Sequence, residues 1–340
     1  MTLALAQRFI ANQGNAWDYT LSQLSKYFSR IDDLPQKEIA ASSATIQIDS
    51  PSAPEDLYFG FIDAARLLGR RTGELHNALS ETRADPAFAP EPCSTSYVRQ
   101  RIQAMQRSTT QAMALLRDRF STLSASDREQ AQTVLKLEPT ILDRMESLSR
   151  VPLTAMRVRC HGDYHLGQVL YTGQDFIIID YEGEPARPLA ERRGKHLPLI
   201  DLAGMIRSFH YAAHVSLRQR GQQAGNRRMP HLEPWAEQWY QSVRATFLAG
   251  YRAVAGKKHF SPQSEHEFDL LLDLHLLDKA IYELTYELNN RPDWVALPLK
   301  GITQCMDSSG AGGDQEQRRE NTAGAGDPRN AKRSEDEVTR

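Results

Sequence analysis

The stretch CHGDYHLGQ at residues 160–168, followed by IDYE at residues 179–182, decides the interpretation of this chain. Short runs rich in β-branched or aromatic residues lie around it, at residues 156–160, 169–172 and 176–180. The turn residues TGQD separate the last two runs, and two such runs joined by a turn are typical of a β-hairpin. The sequence therefore predicts a small hairpin, with one acidic residue in the loop before it and a second at its end.

Apolar residues in most of the remaining chain recur at helical spacing, which is typical of helices with one buried face. On this spacing, helices are predicted over residues 16–28, 57–79, 97–123, 127–148, 199–214, 235–254 and 267–289. A small hairpin carried on so many helices indicates an α+β fold that is mainly α.

The two ends of the chain differ in composition from this helical body, which is predicted over residues 15–305. Residues 3–10 form a short apolar run followed by turn residues, so a strand is predicted within residues 1–14. Residues 306–340 have almost no apolar side chains to bury, so burial cannot offset the conformational entropy that these residues would lose on ordering. We expect them to form a disordered tail.

Charge and cysteine content exclude several classes of protein. The 43 acidic and 41 basic side chains leave a net charge of −2, so no overall positive field draws the chain to nucleic acid or anionic lipid. Cys93, Cys160 and Cys305 lie far apart without CxxC spacing, which argues against a disulfide framework and a structural zinc site. The sequence shows no signal peptide and no apolar stretch of about 20 residues. We expect a soluble cytoplasmic protein that binds neither nucleic acid nor membrane.

The residues of the central stretch fit the transfer of a phosphoryl group from ATP. That reaction needs a group to orient and deprotonate the attacking hydroxyl, and oxygen ligands to hold Mg²⁺ against the phosphates. Asp163 fits the first role, while the Gln168 carbonyl and the Asp180 carboxylate are oxygen donors of the kind that Mg²⁺ prefers. His161 then organises the loop.

Two other interpretations of the same residues stay open. His161 and His165 have the i, i+4 spacing of a helical zinc site, although Gly162 argues against a helix and no third ligand stands nearby in the sequence. Alternatively, Asp163 and Asp180 are solvated loop acids beside a structural hairpin. The joint spacing of the two acids and the amide favours phosphoryl transfer over both.

The stretch HGDYHLGQ resembles the HGDxHxxN catalytic loop of the aminoglycoside phosphotransferase and choline kinase-like group, and IDYEG resembles its metal-binding segment. Further stretches are similar to maltokinases, and the resemblance covers roughly residues 3–302. These stretches are LGRRTGELH at 68–76, FAPEP at 88–92, EGEPARPLAERR at 182–193, DLAGMIRSF at 201–209 and YELTYELNNRPDW at 282–294.

Maltokinases phosphorylate maltose at its anomeric hydroxyl with ATP and Mg²⁺, feed α-glucan synthesis, and often occur fused behind a trehalose synthase. The resemblance implies a protein-kinase-like C-lobe with a small catalytic β-hairpin. It also implies Asp163 as catalytic base and Gln168 and Asp180 as magnesium ligands. Asp201 is expected to brace the catalytic loop from a buried helix; a helix-surface acid is the alternative at this position.

The resemblance also carries an expectation for the start of the chain. Residues 3–10 resemble the strand that enters the hinge between the two lobes, which places adenine near Phe9 and Ile10. The nucleotide-binding N-lobe is expected before this strand, where the sequence offers almost nothing. We therefore expect a truncated form that phosphorylates no maltose on its own.

Sugar recognition combines hydrogen-bonding groups with aromatic faces. Tyr282 and Tyr286 present two phenols on one face of a predicted helix, and the resemblance implies that they bind maltose, with Arg187 and Glu283 as weaker candidates. Core packing is the alternative for the two tyrosines. Three other aromatic residues are assigned to the core: Trp235, Trp239 and Tyr240.

Two rival functions follow from the same features. The first is a phosphotransferase for another hydroxylated small molecule, such as an aminoglycoside or choline. The second is a non-catalytic kinase lobe that docks to a trehalose synthase. Because Asp163, Gln168 and Asp180 are all present, the catalytic interpretation is favoured.

Overall fold

The computed structural model describes residues 9–33, 58, 60–81, 86–185, 188–225 and 229–307. Helices predominate in this part of the chain. They are α1 (Ala16–Asp32), α2 (Phe61–Leu79), α3 (Thr95–Arg119), α4 (Ala125–Ser147), α5 (Leu189–Arg192), α6 (Leu199–Gln223), α7 (Glu233–Ala255), α8 (Glu265–Asn290) and α9 (Ala296–Asp307). The predicted mainly helical fold is therefore confirmed.

Polar side chains fix where several of these helices begin. Asn15, Ser94, Ser124 and Ser264 precede α1, α3, α4 and α8 in extended conformations, and each side chain accepts a hydrogen bond from a backbone N–H of the first turn. Such caps satisfy donors that the helix itself leaves unpaired. None of the helices in the described ranges is long and apolar enough to cross a membrane.

The predicted hairpin is present as two antiparallel strands, β3 (Val169–Tyr171) and β4 (Phe176–Ile178). The run at residues 156–160 does not join it. Its strand β2 (Met156–Arg157) instead pairs with β1 (Glu91–Pro92), which lies far away in the sequence. The hairpin is thus a two-stranded unit, and the loop at residues 160–168 leads into it.

The described residues before α1, at positions 9–15, contact the hairpin without forming a strand of their own. Met1 to Arg8 lie outside the described residues, and Phe9 and Ile10 are exposed and have no strand conformation. Gln13 N donates to Tyr171 O at 2.7 Å. At the other end, α9 continues through Asp307, two residues into the predicted tail, and residues 308–340 lie outside the described part.

Helices α2 and α7 cross with their backbones in close contact. A Cβ atom on Gly69 of α2 would collide with the carbonyl oxygen of Phe247, and one on Gly250 of α7 would collide with that of Arg66. Glycine is therefore required on both sides of this crossing. The prediction that three further aromatic residues belong to the core is confirmed, because all are buried: Trp235, Trp239 and Tyr240.

Candidate active site

The backbone at the start of the loop is held by a buried carboxylate. Asp201 lies in the first turn of α6 and is 1% exposed. Its Oδ2 accepts the backbone N–H of His161 at 2.8 Å, and its Oδ1 accepts that of Gly162 at 2.9 Å. Gly162 has a φ of 80°, a conformation that favours glycine. Asp201 is a buried side chain that binds the loop backbone, and not a helix-surface acid.

The charge state of Asp201 follows from its contacts. Burial alone raises the pKa of its carboxyl group, but the hydrogen bonds donated by His76 and by the Gly162 N–H hold that pKa below its usual range. The group is therefore a carboxylate near neutral pH, and it can accept hydrogen bonds from all three donors that surround it.

Sequence reasoning missed a histidine beneath the loop. His76 of α2 is completely buried, and its Nε2 lies 3.0 Å from Asp201 Oδ2. Thr72, one turn earlier on the same helix face, lies 2.9 Å from the Tyr164 hydroxyl of the loop. The only signal for His76 was its place in the stretch LGRRTGELH, from which no role was inferred.

His161 joins the loop to the end of the hairpin. Its Nδ1 accepts the backbone N–H of Asp163 at 3.3 Å, so the proton of the neutral ring lies on Nε2 and is donated to Ile179 O at 2.8 Å. Both ring nitrogens are thus occupied, and His165 Nδ1 accepts from Gly167 N at 3.0 Å. This arrangement excludes the helical zinc site and makes His161 a positioning group.

Asp163 and His165 face each other across the loop. The Asp163 side chain is 20% exposed, and its Oδ2 lies 4.0 Å from His165 Nε2. Burial lowers the pKa of His165, the Asp163 carboxylate opposes this effect, and the Lys279 ammonium lowers the pKa further. The ring is therefore neutral near pH 7, and Lys279 of α8 lies close enough to the loop for its charge to act there.

The two predicted metal ligands lie side by side. Gln168 Nε2 donates to Asp180 Oδ2 at 2.9 Å, where both groups are accessible to solvent. Asp180 has a φ of 63°, a conformation that is uncommon for a residue other than glycine and that clusters at functional sites. A carboxylate with a neighbouring amide carbonyl is a hard oxygen donor set, so these residues fit Mg²⁺.

The predicted sugar-binding residues are only partly brought together. Tyr282 is half-buried, with the Lys279 ammonium 4.8 Å from its ring centre, and Tyr286 is 45% exposed. Core packing therefore does not account for Tyr286. Glu283 is held by Arg207, with the guanidinium nitrogens at 2.6 and 2.9 Å from its Oε2. Arg187 lies outside the described residues.

No protein-family model matches the chain. Among individual proteins, it is similar to a glucosamine kinase of Streptacidiphilus jiangxiensis, with 23% identity over 248 residues, which are 71% of this chain and 49% of that protein. A glucosamine kinase of Mycolicibacterium smegmatis is 25% identical over 252 residues, which are 72% of this chain and 54% of that protein. The chain thus spans about half the length of these relatives.

Solved structures show where the fold recurs. A structure described as glucosamine kinase in complex with glucosamine, ADP and inorganic phosphate has a TM-score of 0.64 and 19% identity, covering 87% of this chain and 62% of the other. A second glucosamine kinase crystal form has a TM-score of 0.63 and covers 59% of that chain. This chain therefore shares the fold of a large part of these kinases. The resemblance to maltokinases stays a prediction.

Proposed function

We propose that this chain carries the catalytic loop of an ATP-dependent sugar kinase, which transfers the γ-phosphoryl group of ATP to a sugar hydroxyl. One observation carries the proposal: Asp163 lies in a loop whose backbone is fixed by Asp201, and the same loop ends at Gln168, whose side chain pairs with Asp180. The relatives described above are named as glucosamine kinases, which supports the same reaction class.

Each group in the loop has a distinct role in this proposal. Asp163 orients the sugar hydroxyl and accepts its proton as the oxygen attacks phosphorus. Gln168 and Asp180 would hold Mg²⁺, which when bound neutralises phosphate charge. Because phosphoryl transfer depends chiefly on positioning and electrostatics, the hydrogen bonds that the loop backbone donates to Asp201 contribute directly to the geometry of Asp163.

The sugar is proposed to be neutral, with maltose as the first candidate. The charges on α8 support this choice, because Lys279 lies over the Tyr282 ring and the Glu283 carboxylate is already neutralised by Arg207. A cationic sugar would meet the ammonium of Lys279 without a free carboxylate from Glu283 to balance it. Tyr282 and Tyr286 then supply the aromatic and hydroxyl contacts.

Glucosamine is the second candidate, because the relatives are named for it. Calorimetric titration of the chain with maltose and with glucosamine separates the two, and loss of the maltose signal in Tyr286→Ala locates the site. We expect binding of maltose at millimolar concentration or better. Binding of glucosamine alone would contradict the neutral-sugar proposal.

Because the chain spans about half the length of its relatives, phosphoryl transfer is measured on the chain alone and on the chain fused to the part of the Streptacidiphilus jiangxiensis relative that it does not cover. The assay is sugar-dependent release of ADP at millimolar ATP and Mg²⁺, with Asp163→Asn as the control, and the kcat values below refer to the fused protein. Release that depends on Asp163 supports the kinase proposal. Sugar binding without release of ADP by the fused protein would favour the non-catalytic alternative.

A further inference from the structure

We propose that Tyr251 and His76 extend the support of the catalytic loop, so that a buried chain of hydrogen bonds from Tyr251 through His76 and Asp201 positions Asp163; the kinetic part of this inference rests on the proposed function. The Tyr251 hydroxyl lies 3.1 Å from His76 Nδ1, and His76 Nε2 lies 3.0 Å from Asp201 Oδ2. Asp201 in turn binds the backbone of His161.

The donor and acceptor roles in this series of hydrogen bonds are mutually consistent. Asp201 is a carboxylate and can only accept, so His76 Nε2 donates to it. His76 Nδ1 is then the acceptor for the Tyr251 hydroxyl, which keeps its proton because burial raises the pKa of Tyr251 well above its usual range. No more than 2% of the surface of any of the three residues is exposed. A missing partner would therefore leave a buried polar group without compensation.

This series of hydrogen bonds starts at a closely packed crossing of two helices. His76 and Tyr251 belong to α2 and α7, which cross where Gly69 and Gly250 let the two backbones touch. Their rings also pack edge to face, with centroids 5.6 Å apart. Because neither helix can approach or withdraw without breaking close packing, the distance between the two side chains is fixed, and His76 presents its Nε2 to Asp201 at a defined height.

A second contact ties the same helix to the loop. Thr72 Oγ1 donates to Leu68 O at 2.8 Å, so the Tyr164 hydroxyl is the donor in its 2.9 Å bond with Thr72. Helix α2 thus holds the loop directly through Thr72 and indirectly through His76. Of these two contacts, only the His76 contact reaches the backbone N–H groups that precede Asp163.

A purely structural role and a positioning role for His76 and Tyr251 predict different effects of removing the Tyr251 hydroxyl. In the structural case, removing the Tyr251 hydroxyl lowers global stability and alters all parts of the core alike. In the positioning case, the effect is concentrated at the amides of His161 and Gly162, and it lowers kcat with little change in KM for the sugar.

The test compares two variants that each remove one buried tyrosine hydroxyl. Tyr251→Phe keeps the ring and its packing and removes only the donor to His76. Tyr27→Phe is the matched control, because the Tyr27 hydroxyl is also buried and donates to Trp235 O at 3.1 Å, away from the loop. Hydrogen exchange of individual amides is followed by NMR, and global stability is measured by urea unfolding.

We expect Tyr251→Phe to speed exchange at the His161 and Gly162 amides about tenfold more than the change in global stability explains, and to lower kcat by a similar factor. Tyr27→Phe should affect stability and leave these two amides at their wild-type rates once stability is corrected for. Equal behaviour of the two variants, or a change in stability alone, would overturn the inference.

His76→Gln and His76→Leu provide a graded series. Glutamine keeps an N–H that can reach Asp201, whereas leucine removes the donor, so exchange at the two amides should rise from wild type through His76→Gln to His76→Leu. If His76→Leu does not fold, His76→Gln and Tyr251→Phe decide the question. Faster exchange at the two amides would support the role of His76 and Tyr251 in holding the loop, even if the fused protein described above showed no sugar kinase activity, a result that would refute the proposed function alone.

Discussion

Replacing Asp201 by asparagine tests how much the loop depends on its buried carboxylate. The variant keeps the shape of the side chain but turns one acceptor oxygen into an NH₂ donor. Oδ2 accepts from both His161 N and His76 Nε2, whereas Oδ1 accepts only from Gly162 N. The amide oxygen therefore takes the Oδ2 position, and its NH₂ group faces the N–H of Gly162.

The cost can be built up from these three bonds. One buried donor left without a partner costs about 1–3 kcal/mol. The other two bonds lose a charged acceptor, and charge-assisted bonds are about twice as strong as neutral ones, so each loses about 1 kcal/mol. The substitution also removes the cost of burying a negative charge, but this gain does not make the variant more stable than the wild type. The pKa of Asp201 lies below its usual range despite burial, so the surrounding hydrogen bonds outweigh that cost. The sum is a loss of about 3–5 kcal/mol in the free energy of unfolding.

Thermal unfolding measures this loss, with Asp163→Asn as the matched control in the same loop. At about 2–4 °C per kcal/mol for a chain of this size, Asp201→Asn should lower Tm by about 6–20 °C. The Asp163 carboxyl is partly exposed and lies 4.0 Å from His165, so Asp163→Asn should keep the wild-type Tm within about 2 °C and lower kcat at least about 10²-fold. An Asp201→Asn protein that melts like the wild type would refute the reasoning.

The pH dependence of stability gives a second readout of the same carboxylate. A folded-state pKa below that of the unfolded chain stabilises the fold above the unfolded value, and this contribution is lost as the pH falls through the folded value. The difference in stability between wild type and Asp201→Asn should therefore be constant near neutral pH and shrink below about pH 4. A difference that grows on acidification would contradict the assigned charge.

Three further substitutions probe other parts of the site. Gly204→Ala places a Cβ atom 2.5 Å from the carbonyl oxygen of Tyr164, so it should lower the free energy of unfolding in urea by about 1–3 kcal/mol. An unchanged unfolding midpoint would show that the loop can move away from α6 without loss of stability. Asp180→Asn should raise the Mg²⁺ concentration needed for half-maximal phosphoryl transfer, and an identical titration would remove it from the ligands. Tyr286→Ala should weaken sugar binding at an unchanged Tm, since its side chain is 45% exposed; the reverse pattern would assign it to packing.

The features that could be predicted from the sequence are those with local causes. The hairpin was expected at residues 169–172 and 176–180 and is observed at Val169–Tyr171 and Phe176–Ile178, because turn residues and β-branched runs act over a few positions. The predicted roles of Asp163, Gln168 and Asp180 likewise rest on their spacing along the chain, and the structure pairs the side chains of Gln168 and Asp180. Helical periodicity identified most of the helices for the same reason.

The features that could not be predicted depend on partners far away in the sequence. The run at residues 156–160 offers no sign that its strand pairs with Glu91–Pro92. His76 is separated from Asp201 by 125 positions and from Tyr251 by 175, so it cannot be distinguished in the sequence from any other polar residue of an amphipathic helix. Glu283 was expected to bind substrate, and only the structure reveals its buried pairing with Arg207, 76 positions away.

The same distinction explains where the site should be sensitive to change. The stretch from His161 to Gln168 has little regular structure to hold it, so its geometry comes from side chains of α2 and α6 and from the close approach of Gly204 to Tyr164. Because those helices are long and buried, they deform less easily than a loop. Mutations that alter phosphoryl transfer without touching sugar or nucleotide should therefore concentrate on the faces of these two helices that meet the loop.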